Sequence, residues 1–199
     1  MEGRSVTIGF DQSYKNFGYA ICIEGKIVTA SCKDLTIFRN NTERRFAVQE
    51  LIAKLFYKLQ ALGYKGDEDI IVVVERLRQF SAGFISMAYI KSTSALISTV
   101  IDTSRQFEVD TYSVDTRAWK KAILGTCKSD EKMDGVIAKK EATVRKVIEL
   151  GFENKIRYIE QKGKNKGKVK YNDDIADAIC IALYGAIDSE EMKLKLENF

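Results

Sequence analysis

The chain has 199 residues, 45% hydrophobic and 30% charged, with a formal net charge of +4 and no histidine. That length suits one domain over residues 1–199 with a full core; no apolar run is long enough to cross a bilayer, and Met1 to Ser5 lacks a leader's apolar stretch, so a cytoplasmic protein without membrane association is expected. The missing histidine excludes a Ser–His–Asp triad or a Cys–His nucleophile, and Cys22, Cys32, Cys127 and Cys180 show no CxxC spacing, so they read as small packed hydrophobes rather than zinc ligands.

The first elements are strands. Ser5 to Asp11, Gly18 to Glu24 and the more polar Lys26 to Phe38 follow one another with short turns, which requires antiparallel pairing. Thr42 is the expected cap of a helix carrying Phe46, Leu51, Ile52, Leu55, Phe56, Leu59 and Leu62 at helical spacing, with Gly63 as its stop. Ile70 to Glu75 is almost continuously apolar, the pattern of a strand buried on both faces and reached by a helical crossover. A second helix is expected from Gly83 to Ile101. Its Phe84, Met87, Ala88, Ala95 and Leu96 give it an apolar side that must be covered. A strand over Phe107 to Val114 follows, then a short helix around Trp119 and a longer one from Val136 to Leu150. Glu160 to Lys170 reads as a flexible basic loop, and Asn172 as the cap of a last helix ending near Ile187. The fold class is therefore α/β: a mixed five-stranded sheet, three antiparallel strands then two parallel, with helices on both faces.

Charge is unevenly spread. Asp115 to Tyr171 carries 16 Lys+Arg against 8 Asp+Glu, while residues 172–199 carry 2 against 7. A basic block beside an acidic one suits a polyanionic substrate handled with a cation's help, although a lysine-rich stretch is also what a solvated face looks like.

Carboxylates end or open apolar elements at three separate places. Asp11 ends the first strand, Glu75 ends the fourth, and Asp174 and Asp177 open the apolar run Ala178 to Leu183. One charged strand end is ordinary, and so is an acidic helix start. The combination is not, because buried charge is costly unless paired or bound to metal. The first and fourth strands should be parallel neighbours, so their carboxyl ends meet where α/β sheets place their sites. Asp174 and Asp177 share a helix face at i, i+3; Asp173 meets Asp177 equally well at i, i+4, and spacing leaves both open. An all-oxygen acidic set favours Mg²⁺, with Mn²⁺ as the alternative.

These motifs resemble those of the RuvC-type Holliday-junction resolvases. Ile8-Gly9-Phe10-Asp11-Gln12-Ser13 with Asn16-Phe17-Gly18-Tyr19-Ala20 is similar to the family's opening strand. Val72-Val73-Val74-Glu75-Arg76 resembles its second motif and Asp174-Ile175-Ala176-Asp177-Ala178 its last, with Trp119-Lys120-Lys121 and Gly125 resembling the basic segment between. The likeness covers about residues 5–187 and is greatest to phage-encoded relatives of bacterial hosts. It implies a ribonuclease H-like fold, a homodimer, two Mg²⁺ ions per site and metal-dependent nicking of four-way DNA junctions and other branched DNA. It carries Asp11, Glu75, Asp174 and Asp177 over as the catalytic metal-binding set, choosing Asp174 over Asp173. Arg76, Arg78, Phe80, Lys120, Lys121, Lys162, Lys164, Lys166 and Lys168 become the expected DNA contacts. The cellular enzymes place a base-stacking phenylalanine three residues after the glutamate, where this chain has Arg78; Phe80 is its nearest substitute. Another nuclease of the same fold, cutting flaps or RNA·DNA hybrids, and a non-catalytic junction-binding module are the alternatives. Actin-like sugar kinases share an Asp-x-Gly strand turn, but their duplicated second half has no room here.

Overall fold

The computed structural model describes residues 6–77, 87–125, 138–161 and 166–187, with only backbone for 138–141. A five-stranded sheet lies at its centre, built from β1 (Val6–Gln12), β2 (Asn16–Ile23), β3 (Lys26–Asp34), β4 (Ile70–Glu75) and β5 (Thr111–Val114), in the order β3-β2-β1-β4-β5. The β1–β2 and β2–β3 pairs are antiparallel, and β1–β4 and β4–β5 are parallel. The expected mixed sheet is thus the observed one, with the two most apolar strands, β1 and β4, side by side.

Each face of the sheet is covered. Side chains alternate along a strand, so Val6, Ile8 and Phe10 of β1 and Val72 and Val74 of β4 point to one face. There they pack with α1 (Asn41–Ala61) and α3 (Met87–Arg105) through Val48, Ile52, Phe56, Leu96 and Val100. Ile71 and Val73 point the other way, toward Trp119 of α4 (Thr116–Leu124), Val147 of α5 (Ala138–Glu149) and Ala178 to Ala182 of α7 (Asp173–Ile187). Of two one-turn helices, α2 (Gly66–Asp69) has no buried residue, while α6 (Glu153–Ile156) adds Ile156 to the α7-face core, and a separate hairpin pairs β6 (Arg157–Ile159) with β7 (Val169–Tyr171).

Several boundaries differ from the sequence reading for local reasons. The cap of α1 is Asn40, not Thr42: its side chain accepts from Glu43 N at 2.9 Å, and the Glu43 carboxylate reaches back to Arg39 N at 2.9 Å. Strand β3 stops at Asp34 rather than Phe38, because the Asp34 carboxylate accepts from both Thr36 N and Thr36 Oγ1 and turns the chain. Strand β5 begins only at Thr111, since residues 106–110 form a turn with Glu108 at φ 59°. Glu160 to Lys170 is not a loop throughout. Its ends are laddered, with Gly167 N on Glu160 O at 2.8 Å and Lys170 in β7 paired to the Glu160 carboxylate at 2.9 Å. In α3, Leu96 is core rather than surface, whereas Met87 is 65% exposed; Phe84 and the start expected at Gly83 lie outside the described residues, as do Val136 and Cys127.

Helix α7 lies unusually close to the sheet, and glycines make room for it. A Cβ on Gly9 would sit 2.9 Å from Ala182 Cα and nearer still to the α7 backbone, and one on Gly18 would meet the Asp174 carbonyl carbon at 2.8 Å. Gly185 repeats the fit at the helix's other end, against Thr7 and Val73. Helix α7 therefore runs antiparallel to β1, its first turn over the end of β1 that carries Asp11. Gly9→Ala is expected to lower stability by about 1–3 kcal/mol through overpacking, measured as a lower urea midpoint with an unchanged slope; an unaltered midpoint would show that the helix can lift without cost.

Candidate active site

The alternation that buries Phe10 on the α1/α3 face puts Asp11 on the α7 face, and the same parity puts Glu75 there beside Ile71 and Val73. Phe10 is opposite Val74 in the parallel β1–β4 pair, so Asp11 and Glu75 follow at the same level as the two strands end. On the other side of β1, Asp11 is opposite Gly18, and the missing side chain of Gly18 lets the α7 backbone at Asp174 come down beside it. The four carboxylates read from the sequence thus come from three elements to one place.

Their electrostatics record the crowding. Burial first, then the charges of Asp177, Asp174, Glu75 and Asp173, push the Asp11 carboxyl well above the ordinary carboxylate range. Burial raises Asp177 to about 6 against the pull of Lys120, with Glu75 and Asp173 adding to the rise. The buried Thr143 hydroxyl of α5 favours the ionised Asp177 without forming a hydrogen bond of ordinary geometry. Two neighbouring thiols are held neutral. Burial, then Asp174, sends Cys32 to about 12, and burial, then Asp177, does the same to Cys180.

Neighbours fix how the carboxylates point. Glu75 accepts from Thr116 Oγ1 at 2.6 Å through one oxygen and from Trp119 Nε1 at 2.9 Å through the other. Its backbone carbonyl accepts from Gln12 Nε2. Asp174 accepts from Asn16 Nδ2 at 2.8 Å. Asn172 caps α7 through its side-chain oxygen on Ile175 N at 2.9 Å, which sets the register of the first turn. Among the described residues no three Asp, Glu or Cys groups stand at the spacing of a closed metal-ligand set. The donor chemistry nevertheless fits a hard cation: carboxylate oxygens from three elements gathered around the buried Asp11, whose proton affinity they raise.

Several of these supports escaped the sequence reading. Thr116 and Trp119 stand at i, i+3 in the first turn of α4, directly after β5, which lies beside β4. That spacing was a legible sign of two side chains aimed at one neighbour. Nothing local marked Asn16 or Gln12. Trp119→Phe keeps the buried ring but removes the donor to Glu75. The expected result is a fold that melts within a few degrees of wild type and a weaker divalent-cation affinity by about tenfold, as for other lost outer supports, read by isothermal titration; equal affinity would make Trp119 purely a core residue.

The expected DNA contacts divide. Arg76 and Lys121 are exposed beside the site, and Lys166 and Lys168 are exposed in the β6–β7 turn. Lys120 is half-buried, its ammonium 4.9 Å from the Trp119 ring centroid and acting on Asp177. Arg78, Phe80, Lys162 and Lys164 lie outside the described residues.

Comparison with solved structures identifies the architecture. Thermus thermophilus RuvC in complex with a Holliday junction substrate matches with a TM-score of 0.62 at 13% identity, over 94% of this chain and 96% of that one. The chain has a ribonuclease H-like fold, the fold of RuvC. A second structure of Thermus thermophilus RuvC gives 0.61 at 15% identity over 94% and 96%. The yeast mitochondrial Holliday junction resolvase Ydc2 gives 0.52 at 17% identity, over 99% of this chain and 85% of that one. No protein-family model and no curated protein sequence matches the chain. Among the described residues no helix is long and apolar enough to cross a membrane.

Proposed function

We propose that this chain is a metal-dependent endonuclease that nicks four-way junctions and other branched DNA, in recombination or phage DNA processing. The observation that supports it most is the meeting of Asp11, Glu75, Asp174 and Asp177 at the parallel strand ends of a RuvC-like fold. Those four carboxylates would hold two Mg²⁺ ions, or Mn²⁺, whose chemistry is activation of a water and stabilisation of the leaving oxygen of a phosphodiester. Thr116 and Trp119 keep Glu75 oriented, and Asn16 does the same for Asp174. Lys120 offsets part of the negative charge at Asp177. Arg76, Lys121, Lys166 and Lys168 are exposed cations suited to phosphates, which position DNA without reading its sequence. A homodimer, with the outer surface near Met87 and Ala88 of α3 as its contact, would supply two sites for paired incisions.

The direct test is a panel of four-way junction, flap, plain duplex and RNA·DNA hybrid, with and without Mg²⁺. Metal-dependent nicking of the junction well ahead of the duplex is expected. Asp174→Asn should stop nicking and leave junction binding intact. Duplex cut as fast as junction removes the branched-DNA reading. A preference for the hybrid moves the chain to the alternative nuclease class of the same fold, and binding without any cleavage makes it a non-catalytic junction-binding module.

A further inference from the structure

The β6–β7 hairpin is built differently from the rest of the molecule. A hairpin that covers a core has one apolar and one wet face. Here both faces are exposed and both carry apolar groups. The register pairs Arg157 with Tyr171, Tyr158 with Lys170 and Ile159 with Val169. Side-chain alternation puts Ile159, Val169 and Tyr171 on one face and Tyr158 on the other. Ile159 is 53% exposed, Val169 and Tyr158 each 43%, and Tyr171 36%. An isolated two-stranded hairpin in water is marginal, yet this one is anchored twice at its base. Asn172 N bonds Ile156 O at 2.9 Å at its base, and Tyr171 Oη donates to Glu153 at 3.0 Å. The ladder continues toward the turn, where Glu160 N bonds Lys168 O at 3.0 Å. The base of the hairpin is also the cap of α7, two residues from Asp174.

We propose that this hairpin is a wedge for unpaired nucleotides at the branch point, with bases stacking on Tyr158 on one face and on the Ile159–Val169–Tyr171 surface on the other. The occupant follows from two complementarities. Exposed apolar and aromatic groups on both faces suit two separated strands, since every base offers a stacking surface whatever its sequence. Arg157 and Lys168 beside them suit the phosphates of those strands. The inference deepens the branched-DNA reading and rests on it: the wedge supplies preference for a branch over duplex, which a phosphate-binding surface alone does not.

The test uses the full chain with Ca²⁺ in place of Mg²⁺, and forked, four-way and plain duplex DNA of matched length carrying 2-aminopurine at the branch. Wild type should bind the branched forms more tightly than duplex and change the 2-aminopurine fluorescence. The Tyr158→Ala/Ile159→Ser double variant should lose about tenfold in branched-DNA affinity, keep its duplex affinity, abolish the fluorescence change and melt as wild type does. Tyr158→Trp should keep the preference. An unchanged branch preference in the double variant, an equal loss on branched and duplex DNA, or a loss of self-association instead, which would make the hairpin a contact between two copies, overturns the wedge. If wild type nicks junctions but the double variant keeps its preference, only the wedge fails. If the wedge signals are present but no Mg²⁺-dependent nicking occurs, only the nuclease reading fails.

Discussion

Asp11→Asn is expected to make the metal-free protein more stable and inactive at once. The Asp11 carboxylate is buried among like charges, with Asp177, Asp174, Glu75 and Asp173 all raising its proton affinity. Its ionised form is thus a strain on the fold at neutral pH. The amide keeps the shape and discards the charge. Each 1 kcal/mol gained should raise Tm by about 2–4 °C in a chain of this size. Nicking should fall by about a thousandfold, since the transition-state stabilisation contributed by a metal site amounts to several kcal/mol. A variant that loses activity and also melts lower would show Asp11 to be a structural acceptor rather than a charge held for a cation.

The second large effect is on the pH dependence of stability. Asp177 titrates at about 6 in the folded chain against 3.8 for an ordinary aspartate. Between those values the folded protein holds a proton that the unfolded chain releases. Stability therefore falls as pH rises through this window and stays low above it. The difference amounts to about 3 kcal/mol at its upper limit. Magnesium favours the ionised carboxylates, and a ligand at a hundred times its Kd restores about 2.7 kcal/mol. Thermal melts from pH 3.5 to 8 should show a decline that begins in the pH 4 to 6 window of Asp177 and is widened by the raised Asp11, without divalent cation, flattened in millimolar Mg²⁺, and reduced in Asp177→Asn. Superimposable melting profiles with and without Mg²⁺ would remove the cation from the account.

These expectations rest on residues whose roles were unequally legible. Val72 to Glu75 announced a central strand because only a strand covered on both faces can be that apolar. Its parallel place beside β1 followed from the helical crossover before it, and with it the meeting of Asp11 and Glu75. Thr42 and Phe38 misled as boundaries for one reason: side-chain to backbone bonds at Asn40 and Asp34 outcompete the apolar pattern at element ends. The basic segment from Glu160 to Lys170 looked structureless because five lysines mask a ladder only three residues long on each side. Lys120 and Lys121 are adjacent in sequence, yet helical rotation sends one in toward Asp177 and leaves the other in solvent.

By itself the sequence determined the mixed α/β sheet, the order of its strands and the acidic, histidine-free character of the candidate site, because hydrophobic period and the absence of histidine are properties of the chain. Only the tertiary structure decided which side chains support the carboxylates. Thr116 and Trp119 reach Glu75 across some forty residues of chain, and Asn16 reaches Asp174 across 158 positions. It also showed why Gly9 and Gly18 are needed. Their lack of a Cβ has no local consequence in a strand, and acts only when α7 arrives from the far end of the sequence and brings Asp174 down beside Asp11.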